Sequence, residues 1–350
     1  MLIKNVPEDF IVEEVPLKEW DDDGPFAVFK LTKLSLNTEQ TIDIISKRFH
    51  IPTNIIKYSG TKDKHAHTVQ YISIPNKHGI SDIRLDEENL KLEHVGFSDE
   101  PLSLGTLKGN RFIITVRDLK EKELHAIKSK KLNNLKKDGK NIVMLNYFDE
   151  QRFSSNNYNI GLSILKKEFK KAVQYMCESS DIYSDTIIIY MAAHPNDYVG
   201  ALQRISKKTL LMFIHSVQSF IFNETLSRIL VKNALKNNIE YYLVPYSMGN
   251  FVFYKNISDY SNLPEVLELV GFNTATMDHN IKQTIDKLSI IPRDFIVRAL
   301  PDSSVEGTTR ECFIEIQNFE IELLENRAIL EFELGKGSYA TIVVKMMFGG

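Results

Sequence analysis

The sequence predicts an α/β (α+β) protein, because strand-like segments at both ends of the chain flank a mostly helical middle. Strand and helix patterns alternate over residues 1–155, helical spacing dominates after Phe153, and strand alternation returns from Phe313. A length of 350 residues with 43% hydrophobic and 25% charged residues favours two domains. We therefore predict a discontinuous first domain, 1–155 with 312–350, and an inserted second domain, 156–311.

The first domain is predicted to begin with two strands and a helix. Residues 10–15 and 26–33 are rich in β-branched and aromatic side chains, which favours strands. Apolar residues then recur at spacings of three and four from Asn37 or Thr38, and this pattern stops before Pro52. That spacing predicts an amphipathic helix.

A polar turn between two further strands is dense in titratable side chains. Residues 55–58 and 68–74 have strand patterns, and residues 59–65 form the polar turn between them. Turns at strand ends commonly carry functional groups. Another strand is predicted over 111–117, followed by a lysine-rich, helix-like segment over 119–137.

The middle of the chain is predicted to be helical, and the C-terminal part is predicted to return to strands. Helical spacing covers residues 160–177 and 209–235. The segments EIQNFEIEL, AILEFEL and YATIVV alternate apolar and polar residues, which predicts three strands with a turn at 335–338 joining the last two.

The composition excludes several classes of protein. The N-terminal residues lack the apolar stretch of a signal peptide, and the run at 186–193 is too short to span a bilayer, so we expect a cytoplasmic protein away from membranes. Cys177 and Cys312 stand apart, and His65 with His67 lacks a third ligand at a diagnostic spacing. Neither a disulfide nor a metal site is therefore predicted. With a net charge of −3, any nucleic acid must meet a local basic patch.

Six sequence blocks, in order, span nearly the whole chain. They are KNVPEDF (4–10), GTKDKHAHTVQY (60–71), LKGNRF (107–112), NYFDEQRF (146–153), SVQSFIFNE (216–224) and GSYATIVV (337–344). Together they resemble the TruD family of tRNA pseudouridine synthases. One such block would be a weak match, whereas six in family order make a specific one.

This resemblance implies a pseudouridine synthase fold, with a mixed, largely antiparallel sheet and an inserted, mostly helical TRUD domain. It also implies an isomerase that converts uridine to pseudouridine in tRNA, at position 13 of the D arm if the best-known family specificity holds. The reaction needs no redox, phosphate or metal chemistry, so no cofactor is expected. The expected partner is tRNA, and we expect a monomer.

Asp63 matches the catalytic aspartate of the family. Converting uridine requires breaking the bond from N1 of the base to the ribose, turning the base and rejoining it through C5. A carboxylate can act as the nucleophile, either at ribose C1′ or at C6 of the ring. Flanking Lys62 and Lys64 would favour its ionised form. Without the resemblance, the same residues would be interpreted as an ordinary charged turn.

The resemblance also assigns residues that bind the substrate. Phe10 resembles the residue that packs against the target nucleotide, and an Asn110 amide can both donate to and accept from the uracil edge. Considered alone, Phe10 would be a core residue and Asn110 a turn residue. The predicted substrate-binding residues are Lys4, Phe10, Asn110, Phe112 and Tyr339, and the predicted phosphate contacts are Lys62, Lys64 and Arg152.

Three basic segments, 120–140, 166–171 and 204–208, are further candidates for contacts with RNA phosphates. A run of charge is more often a solvated helix face. A near-neutral chain that binds tRNA must nevertheless concentrate its positive potential somewhere.

Two positions depart from the family pattern. Lys345 and Met346 stand where Arg-Glu is common, so the basic character is kept but the acidic partner is lost. Asp149 replaces a small residue that often follows the NYF element. Any ion pair carried over to the Lys345 position is therefore in question.

Two other functions fit parts of the sequence. A catalytically inert factor that binds or folds tRNA would share every binding feature, although an intact block around Asp63 argues against it. A sugar hydrolase would need a second carboxylic acid across the scissile bond. Asp149 and Glu150 are candidates, but their spacing gives that role no support.

Overall fold

The chain is described by a computed structural model, in which the described residues form two compact units. The first unit comprises residues 1–132, 136–143 and 315–340, and the second comprises 144–314 and 341–350. The predicted division into domains 1–155 with 312–350 and 156–311 stays a prediction. The described residues are 1–77, 79–121, 123–124, 127, 136–137, 141–154, 156–179, 182–261 and 263–349.

One large sheet organises the first unit. Among the described residues it has 11 strands in the order β5-β6-β2-β4-β1-β7-β15-β14-β9-β8, with β3 paired to β4. Strands β1 and β4 are parallel, whereas β1 with β7, β2 with β4 and β7 with β15 are antiparallel. The predicted mixed, largely antiparallel sheet is confirmed. Its strands are β1 (Phe10–Pro16), β2 (Phe26–Leu34), β3 (Lys57–Tyr58), β4 (His67–Pro75), β5 (Leu85–Glu87), β6 (Leu90–Ser98), β7 (Leu107–Val116), β8 (Lys136–Lys137), β9 (Asn141–Leu145), β14 (Phe313–Leu323) and β15 (Ala328–Gly335).

Helix α1 (Thr38–Phe49) packs its apolar face on this sheet, as the sequence spacing predicted. The Asn37 side chain caps the helix by accepting a hydrogen bond from the Gln40 amide at 2.7 Å. Ile42 and Ile45 of the helix join a core formed by alternate residues of β2, among them Phe29. The alternation of β2 and the periodicity of α1 therefore meet in one apolar layer.

The second unit is mostly helical, and its core surrounds the long helix α6. Phe213 and Val217 of this helix are fully buried. Two strand pairs, β10 with β11 and β12 with β13, also belong to this unit, although its sequence predicted helix. The elements are α2 (Asn157–Leu165), α3 (Phe169–Glu178), α4 (Ile182–Ala193), α5 (Tyr198–Leu202), α6 (Lys207–Asn237), β10 (Tyr241–Tyr246), β11 (Gly249–Tyr254), β12 (Val266–Leu269), α7 (His279–Leu288), β13 (Thr308–Glu311) and α8 (Ala340–Phe348).

The strand predicted for YATIVV is wrong, because these residues begin helix α8. The β-branched run Ile342, Val343 and Val344 favours a strand by propensity. All three side chains are nonetheless fully buried, and so are most of the apolar residues that follow. An element buried on nearly every side shows no clean period, so propensity alone chose the wrong structure. The lysine-rich helix predicted over 119–137, with most of the 120–140 basic segment, lies largely outside the described residues.

Replacing Gly109 by alanine is expected to destabilise the protein, because the added methyl group would lie 2.2 Å from the carbonyl oxygen of Leu334 on β15. Overpacking of this kind typically costs about 1–3 kcal/mol. Gly335 lies opposite Gly109 in the β7–β15 pair, and a methyl group there would meet no atom within 4 Å. Urea unfolding should therefore show a lowered midpoint for Gly109→Ala and a nearly unchanged one for Gly335→Ala. Equal midpoints would contradict this prediction, because they would show that β7 and β15 accommodate the added methyl group without loss of folding stability.

Candidate active site

Asp63 lies in the turn between β3 and β4, and both of its carboxylate oxygens accept hydrogen bonds. The Lys4 ammonium donates to Oδ2. The backbone amide of His65 donates to Oδ1 at 3.2 Å. The Asp63 side chain is 25% exposed and that of Lys4 is 26% exposed. The carboxylate is therefore oriented by the protein and still accessible to a ligand.

The neighbours of Asp63 favour its ionised form. Burial raises the pKa of the Asp63 carboxyl. The hydrogen bond and charge of Lys4, together with the backbone amide and charge of His65, lower this pKa by more than burial raises it. The net pKa lies below the ordinary value for aspartate. The sequence suggested flanking Lys62 and Lys64 as the source of positive charge, whereas the structure assigns that effect to Lys4 and His65.

Lys4 reaches Asp63 because the N-terminal segment is fixed to the end of β7. Leu2 and Arg117 exchange two backbone hydrogen bonds of 2.8 Å. The Arg117 guanidinium in turn contacts the Asp9 carboxylate at 2.8 Å. Lys4 itself has a left-handed backbone with φ of 59°. This conformation is unusual for lysine, and it marks a segment whose path is imposed by its surroundings.

An aromatic wall lies beside the Lys4–Asp63 pair. The Lys4 ammonium lies 4.2 Å from the centre of the Phe10 ring, which favours the cation. Phe10 makes an edge contact with Phe112 at 6.2 Å, and Phe112 stacks on Phe332 at 5.6 Å. Phe10 and Phe112 are both buried. The structure thus brings four of the predicted residues, Lys4, Phe10, Asp63 and Phe112, into one connected group.

Asn110 lies on β7, where it is paired in register with Glu14 of β1 and Leu334 of β15. Its amide oxygen is buried and accepts no hydrogen bond from the described residues. A buried acceptor without a donor is costly, on the order of 1–3 kcal/mol. Such a group in a native structure is commonly completed by water or by a ligand.

The side chain of Lys62 is turned inward and is not free in the structure. Its ammonium lies 2.6 Å from a carboxylate oxygen of Glu14, and these side chains are only 9% and 1% exposed. The Lys62 backbone amide donates to the Thr38 hydroxyl at 3.0 Å. A phosphate contact by Lys62 would have to compete with Glu14, so that role stays a prediction.

The remaining predicted residues lie in different surroundings. Lys64 is exposed, and Tyr339 is partly buried in the segment between β15 and α8. Arg152 belongs to the second unit, where its guanidinium lies 5.5 Å from the centre of the Phe148 ring and its Nε is buried. The roles of these three residues stay predictions.

The two departures from the family pattern meet in the structure. The Lys345 ammonium of α8 donates a hydrogen bond to the Asp149 carboxylate, and both belong to the second unit. Asp149 therefore provides Lys345 with an acidic partner, which the neighbouring Met346 cannot do. Because this carboxylate is engaged by Lys345, it is a poor candidate for the second acid of a sugar hydrolase.

Three supporting residues were not identified from the sequence. Glu14 pairs with Lys62, and Thr38 holds the backbone of the turn. Lys33 on β2 donates to the carbonyl oxygen of Asp63 at 3.3 Å. Of these three, Lys33 could have been identified from the strand alternation, because it is in phase with buried residues of β2.

The described residues contain no group of three or more His, Cys, Asp or Glu side chains placed to hold a metal ion. In the same part of the chain, no helix is both long enough and apolar enough to cross a membrane.

Comparisons with known proteins agree over the whole chain. The family model described as "tRNA pseudouridine synthase D (TruD)" matches residues 1–187 and 177–347. "Probable tRNA pseudouridine synthase D 1" of Methanococcus maripaludis is 30% identical over 405 residues, covering 99% of this chain and 99% of the relative. "tRNA pseudouridine synthase D" of Aquifex aeolicus is 27% identical over 386 residues, covering 99% and 97%. A crystal structure of a TruD protein from Methanosarcina mazei matches with a TM-score of 0.67 and 22% identity, covering 99% of this chain and 93% of that one, and supports the fold.

Replacing Lys4 by methionine is expected to raise the pKa of Asp63, because the ammonium that offsets its burial is removed. The titration of the Asp63 carboxyl carbon can be followed by NMR in protein labelled at aspartate. Lys64→Met is the matched control, since Lys64 is exposed and neighbours Asp63 in sequence. An Asp63 pKa that stays unchanged in Lys4→Met would contradict the assigned electrostatics.

Proposed function

The chain belongs to the TruD family of tRNA pseudouridine synthases, and from this premise we propose that it converts a uridine of tRNA to pseudouridine with Asp63 as the nucleophile. Enzymes of this family are isomerases. The observation that carries the proposal is the ionised, accessible Asp63 carboxylate, which Lys4 and the His65 amide orient beside an aromatic wall.

The proposed reaction keeps every atom of the base. The carboxylate attacks either ribose C1′, which expels the base at N1, or uracil C6, after which the N1–C1′ bond breaks. The base turns, C5 bonds to C1′, and the bond from Asp63 to C1′ or C6 breaks, which regenerates the free carboxylate. C5 then releases its proton to solvent, and N1 gains one. Lys4 supports this sequence by lowering the pKa of Asp63, which favours the carboxylate, the form that is a competent nucleophile.

The neighbouring residues support recognition of a uracil that has left its base stack. The unpartnered Asn110 oxygen can accept a hydrogen bond from the uracil N3–H, which would complete its bonding. Phe10 and Phe112 supply an apolar wall of the kind that receives an extruded base. Tyr339 is proposed to line the same site, on the strength of the family resemblance alone.

We further propose position 13 of the D arm as the target, on the basis of the same resemblance. The test uses two tRNA transcripts whose uridines are all tritiated at C5. The transcript with uridine at position 13 should release tritium, and the transcript with cytidine at that position should release none. The proposed partner is tRNA, and we propose that the protein acts on it as a cytoplasmic monomer.

Asp63→Asn is expected to lower turnover by about 10³-fold or more, because the amide keeps the shape of the side chain but is a poor nucleophile. The assay measures tritium released from tRNA labelled at uridine C5, alongside filter binding of the same preparations. Binding should persist, since phosphate contacts dominate affinity for nucleic acids.

Asp43→Asn, an exposed position on α1, is the matched control and should keep full turnover. Substantial turnover by Asp63→Asn would remove Asp63 from the mechanism. Wild-type protein that binds tRNA without releasing tritium would favour the inert binding factor.

The basic segment 166–171 is proposed to contact RNA phosphates. Lys167 lines a surface groove of about 580 Å³ together with Arg293 and Arg298, and Lys170 is exposed nearby in sequence. These cations outnumber the acidic groups of the groove, where Asp294 lies 3.9 Å from Lys167. The groove therefore offers a local positive surface on a chain of net negative charge.

The double variant Lys167→Gln/Lys170→Gln is expected to bind tRNA more weakly and with a shallower dependence on salt. Each lost phosphate contact should reduce the log–log slope by roughly 0.9. The control pair Lys282→Gln/Lys287→Gln removes the same charge from exposed lysines of α7. If both pairs flatten the slope equally, segment 166–171 is not a distinct RNA-binding surface.

A further inference from the structure

Lys33 is a buried lysine near the end of β2, a strand that lies between β6 and β4 in the sheet. It is 1% exposed and stands in phase with Ala27, Phe29 and Leu31, the residues of β2 that join the core shared with α1. Lysine is among the residues least often fully buried, and a buried ammonium normally has hydrogen-bonding partners.

The Lys33 ammonium joins two segments of backbone. It donates to the carbonyl oxygen of Leu36 at 2.5 Å and to the carbonyl oxygen of Asp63 at 3.3 Å. Leu36 precedes helix α1, and Asp63 lies in the turn between β3 and β4. The Thr38 hydroxyl, at the start of the same helix, accepts the Lys62 amide. The Asp63 carbonyl and the Lys62 amide are thus both fixed to the start of one helix.

We propose that Lys33 is a positioning residue, whose ammonium holds the backbone of Asp63 and so fixes the direction in which the carboxylate points. This inference rests on the proposed role of Asp63 as the nucleophile. Lys33 does not touch the substrate in this account. It acts only through the Asp63 carbonyl, while Lys4 and the His65 amide hold the two carboxylate oxygens.

The charge of Lys33 makes this arrangement sensitive to alkaline pH. Burial lowers the pKa of Lys33 to about 8, with Asp63 raising it and Lys62 lowering it further. The other titratable groups lining the adjacent cavity of about 290 Å³ are Glu8 before β1, His67 on β4, Glu88 before β6 and Lys91 on β6. Above pH 8 the ammonium becomes an amine, and its charge-assisted hydrogen bonds are replaced by neutral ones of about half the strength.

The pH dependence of folding stability distinguishes a loss of turnover caused by Lys33 deprotonation from a loss caused by unfolding. The pKa of Lys33 is lower in the folded protein than the ordinary 10.5, so the unfolded chain holds the extra proton between about pH 8 and 10.5. In that window this group makes folding more favourable as pH rises. Turnover is therefore expected to fall above pH 8 without loss of stability from Lys33.

The test compares Lys33→Met with Lys30→Met, which makes the same change at a less buried position on the same strand. Single-turnover rates, tRNA affinity and melting temperature are measured from pH 6.5 to 9.5. Lys33→Met is expected to react roughly 10- to 100-fold more slowly at pH 7, since a misplacement of about 1 Å can cost that much. Its tRNA affinity should stay within about twofold of wild type, because phosphate contacts made elsewhere supply most of it. The alkaline fall in rate should disappear. Lys30→Met should behave as wild type.

The outcomes distinguish this inference from the proposed function. An inactive wild type, or an active Asp63→Asn, overturns the proposed function. An active wild type with Lys33→Met as fast as Lys30→Met overturns the role of Lys33 alone. If Lys33→Met does not fold, the wild-type profile decides. A rate that stays constant to pH 9.5 overturns the inference, and a fall in rate centred near pH 8 without a fall in melting temperature supports it.

Discussion

The Lys4–Asp63 ion pair is the interaction on which the arrangement of the site depends. A half-buried carboxylate tends to take up a proton, and only a nearby cation and a donated amide reverse that tendency here. Lys4 can provide the charge because Leu2 is paired with Arg117, which is itself bound to Asp9. Strand β7 therefore supports the lysine that holds the Asp63 carboxylate, which lies in the turn between β3 and β4. The fold is the means by which sequence-distant charges are brought into contact.

Local pattern was enough to predict the elements around this pair. Alternation identified β2 and β4, and the three-and-four spacing identified α1, because one face of each is buried against the same core. Helix α8 is buried on nearly every side and lacks such a contrast between faces, so its β-branched residues suggested a strand. The hairpin of β10 and β11 was missed because the surrounding helical spacing dominated the interpretation.

The partners of the site residues were less predictable than the residues themselves. Family blocks pointed to Lys4 and Asp63 individually, but no local pattern shows that Lys62 pairs with Glu14 across strands. The same holds for Lys345 and Asp149, which are 196 residues apart and were noted only as separate departures. Lys33 could have been found, because a lysine in the apolar phase of a strand violates the pattern that identified the strand. Which residues pair across a long sequence separation depends on the topology of the fold, and local sequence patterns do not specify that topology.

The distribution of charge explains how a chain of net charge −3 can serve a polyanionic substrate. Several cations of the first unit are neutralised internally: Lys62 by Glu14, Arg117 by Asp9, and Arg111 by both Glu13 and Glu331. Such pairs fix geometry and contribute little to the field that approaching RNA experiences. We propose that attraction comes from exposed cations such as Lys64, Lys167 and Lys170, and this part of the affinity should be the part that salt screens. The charge that orients the Asp63 carboxylate and the exposed charges proposed to attract RNA thus belong to separate sets of residues.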